Sequence, residues 1–430
     1  MFSYQSLVRK YYQSILVRFL QSTAIFFALI YYHQYFISSD FLKYSISVSV
    51  SMLFPQLFIT SLIIYWVNEG AQWQSGDSRN FIILKWCLQV TLVLFFVALL
   101  LTYIYTTDLI FSSLLALLIS SSCLYQSGLG KCQHSAEPRN ISHFHASFAI
   151  SFTFFAILFQ LCVAGIAGAL LAMSCANIFA FISAFFPRES RQIAFNHVTE
   201  KQTLKFVEVI QYSTAPVILA LIGSGLLVLD KLIFIIFPQK ITGANNLVLI
   251  KDILAGSVII LLSMIYNATQ KNVAIEVSED KLPSIIWRFN ISIGVLLLSN
   301  IFCYLVLLTM SKSQHFKLDI NYDTVSWVVA YLWISATFSL LIRFFEAAKV
   351  SKFIYRQLSF FLAVICVVLF LYLTYFEGLT ALYFGVCWIN IAAVFWLCFR
   401  LKKTWPIVIK SVLVSLFVFF MNAHIFRLLA

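Results

Sequence analysis

Charged side chains are scarce in this sequence: Asp, Glu, Lys and Arg make up 11% of 430 residues, while 61% are hydrophobic. A soluble domain is about a quarter charged, so a water-soluble globular fold is excluded at the outset. Acids are scarcer than bases, 17 against 29. Helix breakers are few as well, with 13 Gly and 7 Pro. Only Pro55 and Pro216 fall inside long apolar runs. The 9 Cys form no CxxC pair, which argues against a disulfide framework and a zinc ribbon. No GxxxxGKS or GxxxxGKT loop occurs, so direct drive by ATP is not expected.

What the sequence does have is apolar length. Its mean hydropathy is +0.92. The 44 Phe and 20 Tyr suit a chain whose Phe residues face lipid and whose Tyr and Trp residues sit at the membrane surfaces. Runs of about 20 apolar residues cross a hydrocarbon core of roughly 30 Å as helices. Such runs occupy 14–36, 44–67, 81–103, 108–128, 143–163 and 164–186 in the first half. In the second half they occupy 206–237, 246–267, 284–309, 324–345, 353–375 and 378–399. The run 14–36 follows Arg9 and Lys10 but is too long for a signal peptide, and reads as a retained first span. The run 406–425 carries Lys410, and either crosses or lies along the interface.

Charge placement tests this count of about twelve spans. With the N-terminus in the cytoplasm, the loops on that side hold 20 of the basic residues and the opposite loops and tail hold six, a strong positive-inside bias. The formal net charge of +12 is therefore topological, and no nucleic-acid partner is implied. The expected architecture is all-α: a polytopic membrane protein of two six-helix bundles around a central cavity. The bundles are 1–186 and 206–400, joined by a cytoplasmic linker at 187–205, with an extra helix or interfacial segment at 401–430. An even number of spans per half gives the halves the same orientation.

The candidate site residues are the ionisable groups inside these spans, because each is costly there unless it is paired or faces water. The hairpin 207–268 holds four of them, Asp230 and Lys231 on one arm, Lys251 and Asp252 on the other. Both dipeptides lie about two turns from the connecting turn. Antiparallel packing therefore allows Asp230 to pair with Lys251 and Lys231 with Asp252. Arg18 lies about one turn into the first span, with Gln21 at i,i+3 on the same face. It faces the cavity or snorkels to the cytoplasmic surface. Arg343 and Glu346 in the tenth span have i,i+3 spacing and read first as a surface pair. Pro216, flanked by Ser213, Thr214, Gly223 and Gly225, is a candidate hinge, and Pro55 should bend the second span. Cys132, His134, His143 and His145 cluster in sequence, but zinc needs four converging ligands and no metal site is expected there.

The stretches LLVLDKLIFIIF and NNLVLIKDILAGSVIILLSMIYNATQ resemble the seventh and eighth spans of bacterial polysaccharide flippases. These belong to the multidrug/oligosaccharidyl-lipid/polysaccharide exporter superfamily. FLKYSISVSVSMLFPQLFITSLIIYWVNEG is similar to that family's second span, and the six-plus-six layout suits it along nearly the whole chain. The first external turn, YYHQYFISSDFLKY, lacks the Gly-rich ending common in the family. The resemblance implies a multi-pass protein of the bacterial inner membrane that flips polyprenyl-pyrophosphate-linked oligosaccharide units for O-antigen, capsule or a related polymer. Its partners would be that lipid-linked oligosaccharide, membrane lipids and a polysaccharide polymerase; no cofactor is called for.

On that reading Arg18, Lys231 and Lys251 are the candidate substrate-binding bases, since cations facing a hydrated cavity offset the desolvation of a pyrophosphate. Asp230, Asp252 and Glu346 are the candidate ion-coupling acids. Two alternatives stand beside this. A glycan polymerase or ligase would need an external catalytic loop, and the longest candidate is the short 311–323. A small-molecule efflux pump of the same superfamily would favour a cavity poorer in Arg and Lys.

Overall fold

In the computed structural model the chain divides into two compact units, Met1–Val217 and Ile218–Ala430. The structure describes residues 4–69, 73, 78–135, 138–185, 204–211, 231 and 248–253, with single positions at 328, 332, 392 and 413. Among the described residues the regular structure is helical, without strands. The first unit holds α1 (Tyr4–Tyr35), α2 (Ser38–Phe58), α3 (Thr60–Asn68), α4 (Ser78–Thr106), α5 (Leu109–Ser135), α6 (Pro138–Cys162) and α7 (Gly165–Ser183). The six apolar runs of the first half fall in order on α1, on α2 with α3, and on α4 to α7. Helices α4 to α7 are each long and apolar enough to cross a membrane, and α2 with α3 qualifies as one broken span. Helix α1, at 32 residues, is about 48 Å long at 1.5 Å per residue. The protein is an all-α polytopic membrane protein.

The second span is broken one turn beyond a proline. Pro55 lies inside α2 and, lacking an N–H, cannot complete the i→i−4 bond to the Ser51 carbonyl. Four residues on, α2 gives way to α3 at Ile59, with a 52° bend between the pieces. The Pro55 carbonyl accepts from the Ile59 amide at 2.9 Å and from the Thr60 hydroxyl at 3.2 Å, so the corner keeps its polar groups satisfied.

The other turns are equally local. Between α4 and α5, Thr107 takes a positive φ of 55°. Asp108 then caps α5, its Oδ1 accepting from the Ile110 and Phe111 amides at 3.0 Å each, as an N-cap carboxylate does. Between α6 and α7, Ala164 and Gly165 both have positive φ, 56° and 60°, which folds α7 straight back along α6. Gly168 completes that closure: a Cβ there would lie 2.8 Å from the Phe159 carbonyl oxygen.

Helix α5 sits at the centre of the unit, packed by α2, α3, α4, α6 and α7. In lipid there is no hydrophobic force between helices, so association relies on close packing of small residues. The buried positions of α5 include Ser112, Ala116, Ser121, Ser127, Gly128 and Gly130. Those of α7 include Gly168, Ala169, Ala172, Ser174 and Ala176. Hydroxyls in these helices bond back to their own carbonyls, as Ser120 does to Ala116, Ser127 to Cys123 and Ser174 to Leu170, which keeps polar atoms off the apolar surface. A second core joins Leu62, Ile63, Trp66, Ile83, Cys87 and Val209. Trp66 donates its indole N–H to the Asn80 side chain at 2.8 Å. The outer face of α4, with Leu92, Phe96, Leu100 and Ile104, and that of α6, with Ile150, Phe154 and Leu161, are exposed. Apolar faces of that extent suit hydrocarbon rather than water.

Candidate functional site

Arg18 is the deepest surprise of α1. Its side chain is 6% exposed, so protein covers the guanidinium and the snorkelling alternative does not hold. Gln21, one turn on, is buried too and accepts from Arg18 Nη1 at 3.1 Å. That fixes the amide: Arg has only donors, so Gln21 Oε1 faces the guanidinium and Gln21 Nε2 points away. Gln21 Nε2 donates to the Tyr125 hydroxyl of α5 at 3.4 Å, and that hydroxyl lies 3.2 Å from His145 Nδ1 of α6. The Tyr125 ring is held by Phe144 and Phe148, with centroids 4.8 and 5.3 Å away.

The chain of side chains thus joins three helices, and among the described residues no carboxylate pairs with Arg18. Arg18 Nε and His145 Nε2 are both buried without a hydrogen-bond partner among the described residues. A buried cation with neither counter-charge nor full hydrogen bonding costs several kcal/mol or more. An anion is the species that would relieve that cost.

A second polar cluster sits where α2, α5 and α7 meet. Asn177 donates to the Ser121 and Ser122 hydroxyls at 3.2 and 3.3 Å, and Ser122 to Ser51 at 3.4 Å. Each group is neutral, and the cluster ties α7 to the Pro55-bent helix.

In the second unit, Lys231 is 4% and Lys251 1% exposed. Lys231 and Asp252 form a close ion pair, the cross-arm pairing that the hairpin spacing allows. Asp230, the expected partner of Lys251, lies outside the described residues, as do Glu346 and the candidate hinge Pro216. Sequence reasoning reached Arg18 and Gln21 from their i,i+3 spacing but missed Tyr125 altogether and weighed His145 only as a metal ligand. Among the described residues no group of three His, Cys, Asp or Glu converges as a metal site. A His and a Tyr interrupting apolar runs were the available signals; what joins them to Arg18 is helix packing, which no spacing along the chain encodes.

No protein-family model matches the chain, and no curated protein matches it. Its fold, however, is shared with solved transporters. One is a multidrug resistance MATE family transporter of the MOP superfamily in an outward-facing conformation, with TM-score 0.63 and 12% identity over 97% of this chain and 96% of that one. Another is the MATE transporter ClbM in complex with Rb+, with TM-score 0.60 and 15% identity over 94% of this chain and 96% of that one. A third is a Pyrococcus furiosus MOP superfamily transporter whose reverse polarity of binding pocket suggests a different function, with TM-score 0.59 and 10% identity over 97% and 96% of the two chains. The chain therefore has the fold of MOP superfamily transporters along nearly its whole length.

Proposed function

We propose that this chain is a membrane transporter that flips polyprenyl-diphosphate-linked oligosaccharides from the cytoplasmic to the outer leaflet of the bacterial inner membrane by alternating access. The product would pass to a polysaccharide polymerase for assembly of a surface glycan. The observation that carries this reading is Arg18, a buried guanidinium with no carboxylate beside it among the described residues. A site that takes an anionic headgroup benefits from such a charge, whereas one built for cationic drugs would set an acid there. Lys251 is buried close in sequence to the Lys231–Asp252 pair in the second unit, and the transporter fold supports carriage rather than glycan-joining chemistry.

The second reading is small-molecule efflux, favoured by the shared fold with a multidrug resistance transporter. Deleting the protein from its native strain and locating the lipid-linked repeat units separates these. Single units held on the cytoplasmic leaflet support flipping. Units exposed outside but unpolymerised point to a polymerase, and unchanged glycan with raised drug sensitivity points to efflux.

A further inference from the structure

We infer that His145 is a second anion-contacting residue of the Arg18 site, presenting Nε2–H to a phosphate oxygen, and that Tyr125 is the positioning residue that sets its tautomer. This rests on the reading of the chain as a carrier of a diphosphate-linked lipid. The argument is one of hydrogen-bond direction. Arg18 can only donate, so Gln21 Oε1 accepts from it and Gln21 Nε2 donates onward to the Tyr125 oxygen. That oxygen could accept a second bond, but among the described residues its single proton has no acceptor other than His145 Nδ1, 3.2 Å away, and we assign the proton there. With Nδ1 accepting, the imidazole is neutral and carries its proton on Nε2. His145 is 0% exposed, and that Nε2–H has no acceptor among the described residues.

Arg18 Nε–H is likewise buried without an acceptor. Both loose ends of a directed four-residue chain are therefore donors, and leaving a buried donor unsatisfied is costly. Ligands that are acceptors only, and negatively charged, suit such donors; a phosphoryl group is one, and a cation or a hydrogen-bond donor is not. The tautomer matters because the opposite one would turn a lone pair of Nε2 toward the anion.

The test uses the full chain in lipid nanodiscs with two probes, inorganic pyrophosphate in solution and polyprenyl diphosphate in the lipid, affinity being read by ³¹P NMR titration. His145→Ala is expected to weaken diphosphate binding about tenfold, the loss of one hydrogen bond to a charged group. His145→Gln, which keeps an amide N–H donor, should recover most of it. Tyr125→Phe should weaken binding severalfold and move the ¹⁵N signature of His145 away from the Nε2–H tautomer. In the wild type, adding either probe should shift the His145 Nε2 resonance. A His145 effect seen only with the lipid probe assigns a lipid headgroup, and one seen only with pyrophosphate assigns a free anion. If His145→Ala binds both probes as the wild type does while Arg18→Gln does not, the inference on His145 is overturned and the Arg18 reading survives. If Arg18→Gln also binds normally, both are overturned. Should His145→Ala fail to fold, the Nε2 shift in the wild type decides alone, and its absence with both probes overturns the inference.

Discussion

At the scale of single residues, Arg18 and Gly168 set two different kinds of demand. Arg18 is buried with neighbours that satisfy only part of its guanidinium, so its neutral replacement should relieve the fold rather than harm it. Arg18→Gln is expected to leave the melting temperature in detergent unchanged or raised while cutting flipping of lipid-linked oligosaccharide in proteoliposomes at least tenfold. Equal losses of stability and transport would make Arg18 a structural residue. Gly168 is the reverse case. An added methyl would meet the Phe159 carbonyl, main-chain atoms that cannot turn aside. Gly168→Ala should therefore cost roughly 1–3 kcal/mol, visible as a lower melting temperature with the affinity of any protein that does fold little changed.

Among the elements, the bent second span and the charged hairpin offer sharper tests. Pro55→Ala restores the amide that the Ser51 carbonyl lacks. Spin labels placed in α2 and α3 should then report a smaller angle than 52°; an unchanged distance would mean that packing around Ile59, not the proline, makes the corner. For the second unit, Lys231→Met or Asp252→Leu alone breaks the buried ion pair and should lower stability more than the double substitution does. A double-mutant cycle in thermal unfolding measures the difference. These elements also show what could be read from the chain beforehand. The six helical segments of the first half were legible because an unbroken apolar run is set by the local sequence alone. The ends were less so: α1 starts at Tyr4 and α5 runs to Ser135, since a helix continues through polar residues once it is nucleated and packed. The Lys231–Asp252 pair followed from spacing about a turn. The Tyr125–His145 contact did not, because it depends on how α5 rolls against α6.

For the whole molecule, the exposed apolar faces make the bilayer part of the fold. Phe96 on α4 is exposed while Leu94 and Ala98 on the same helix are buried, which sets an outer face against an inner one. Phe96→Arg should reduce membrane insertion by about 2.5–3.5 kcal/mol if that position lies near mid-bilayer. Glycosylation-based insertion assays read this directly, and a value near zero would place the face against protein or water. Shared shape at 12% identity fits a fold held by helix length and small-residue contact, where many apolar side chains are interchangeable. Among the described residues, three contacts are not. Gly128, Gly130 and Gly168 each sit where even one more carbon would come within 3 Å of a neighbour. Distant kin of this chain should therefore be sought by that trio's separation along the polypeptide, a fingerprint of absent atoms that survives when the charged residues have drifted to suit another cargo.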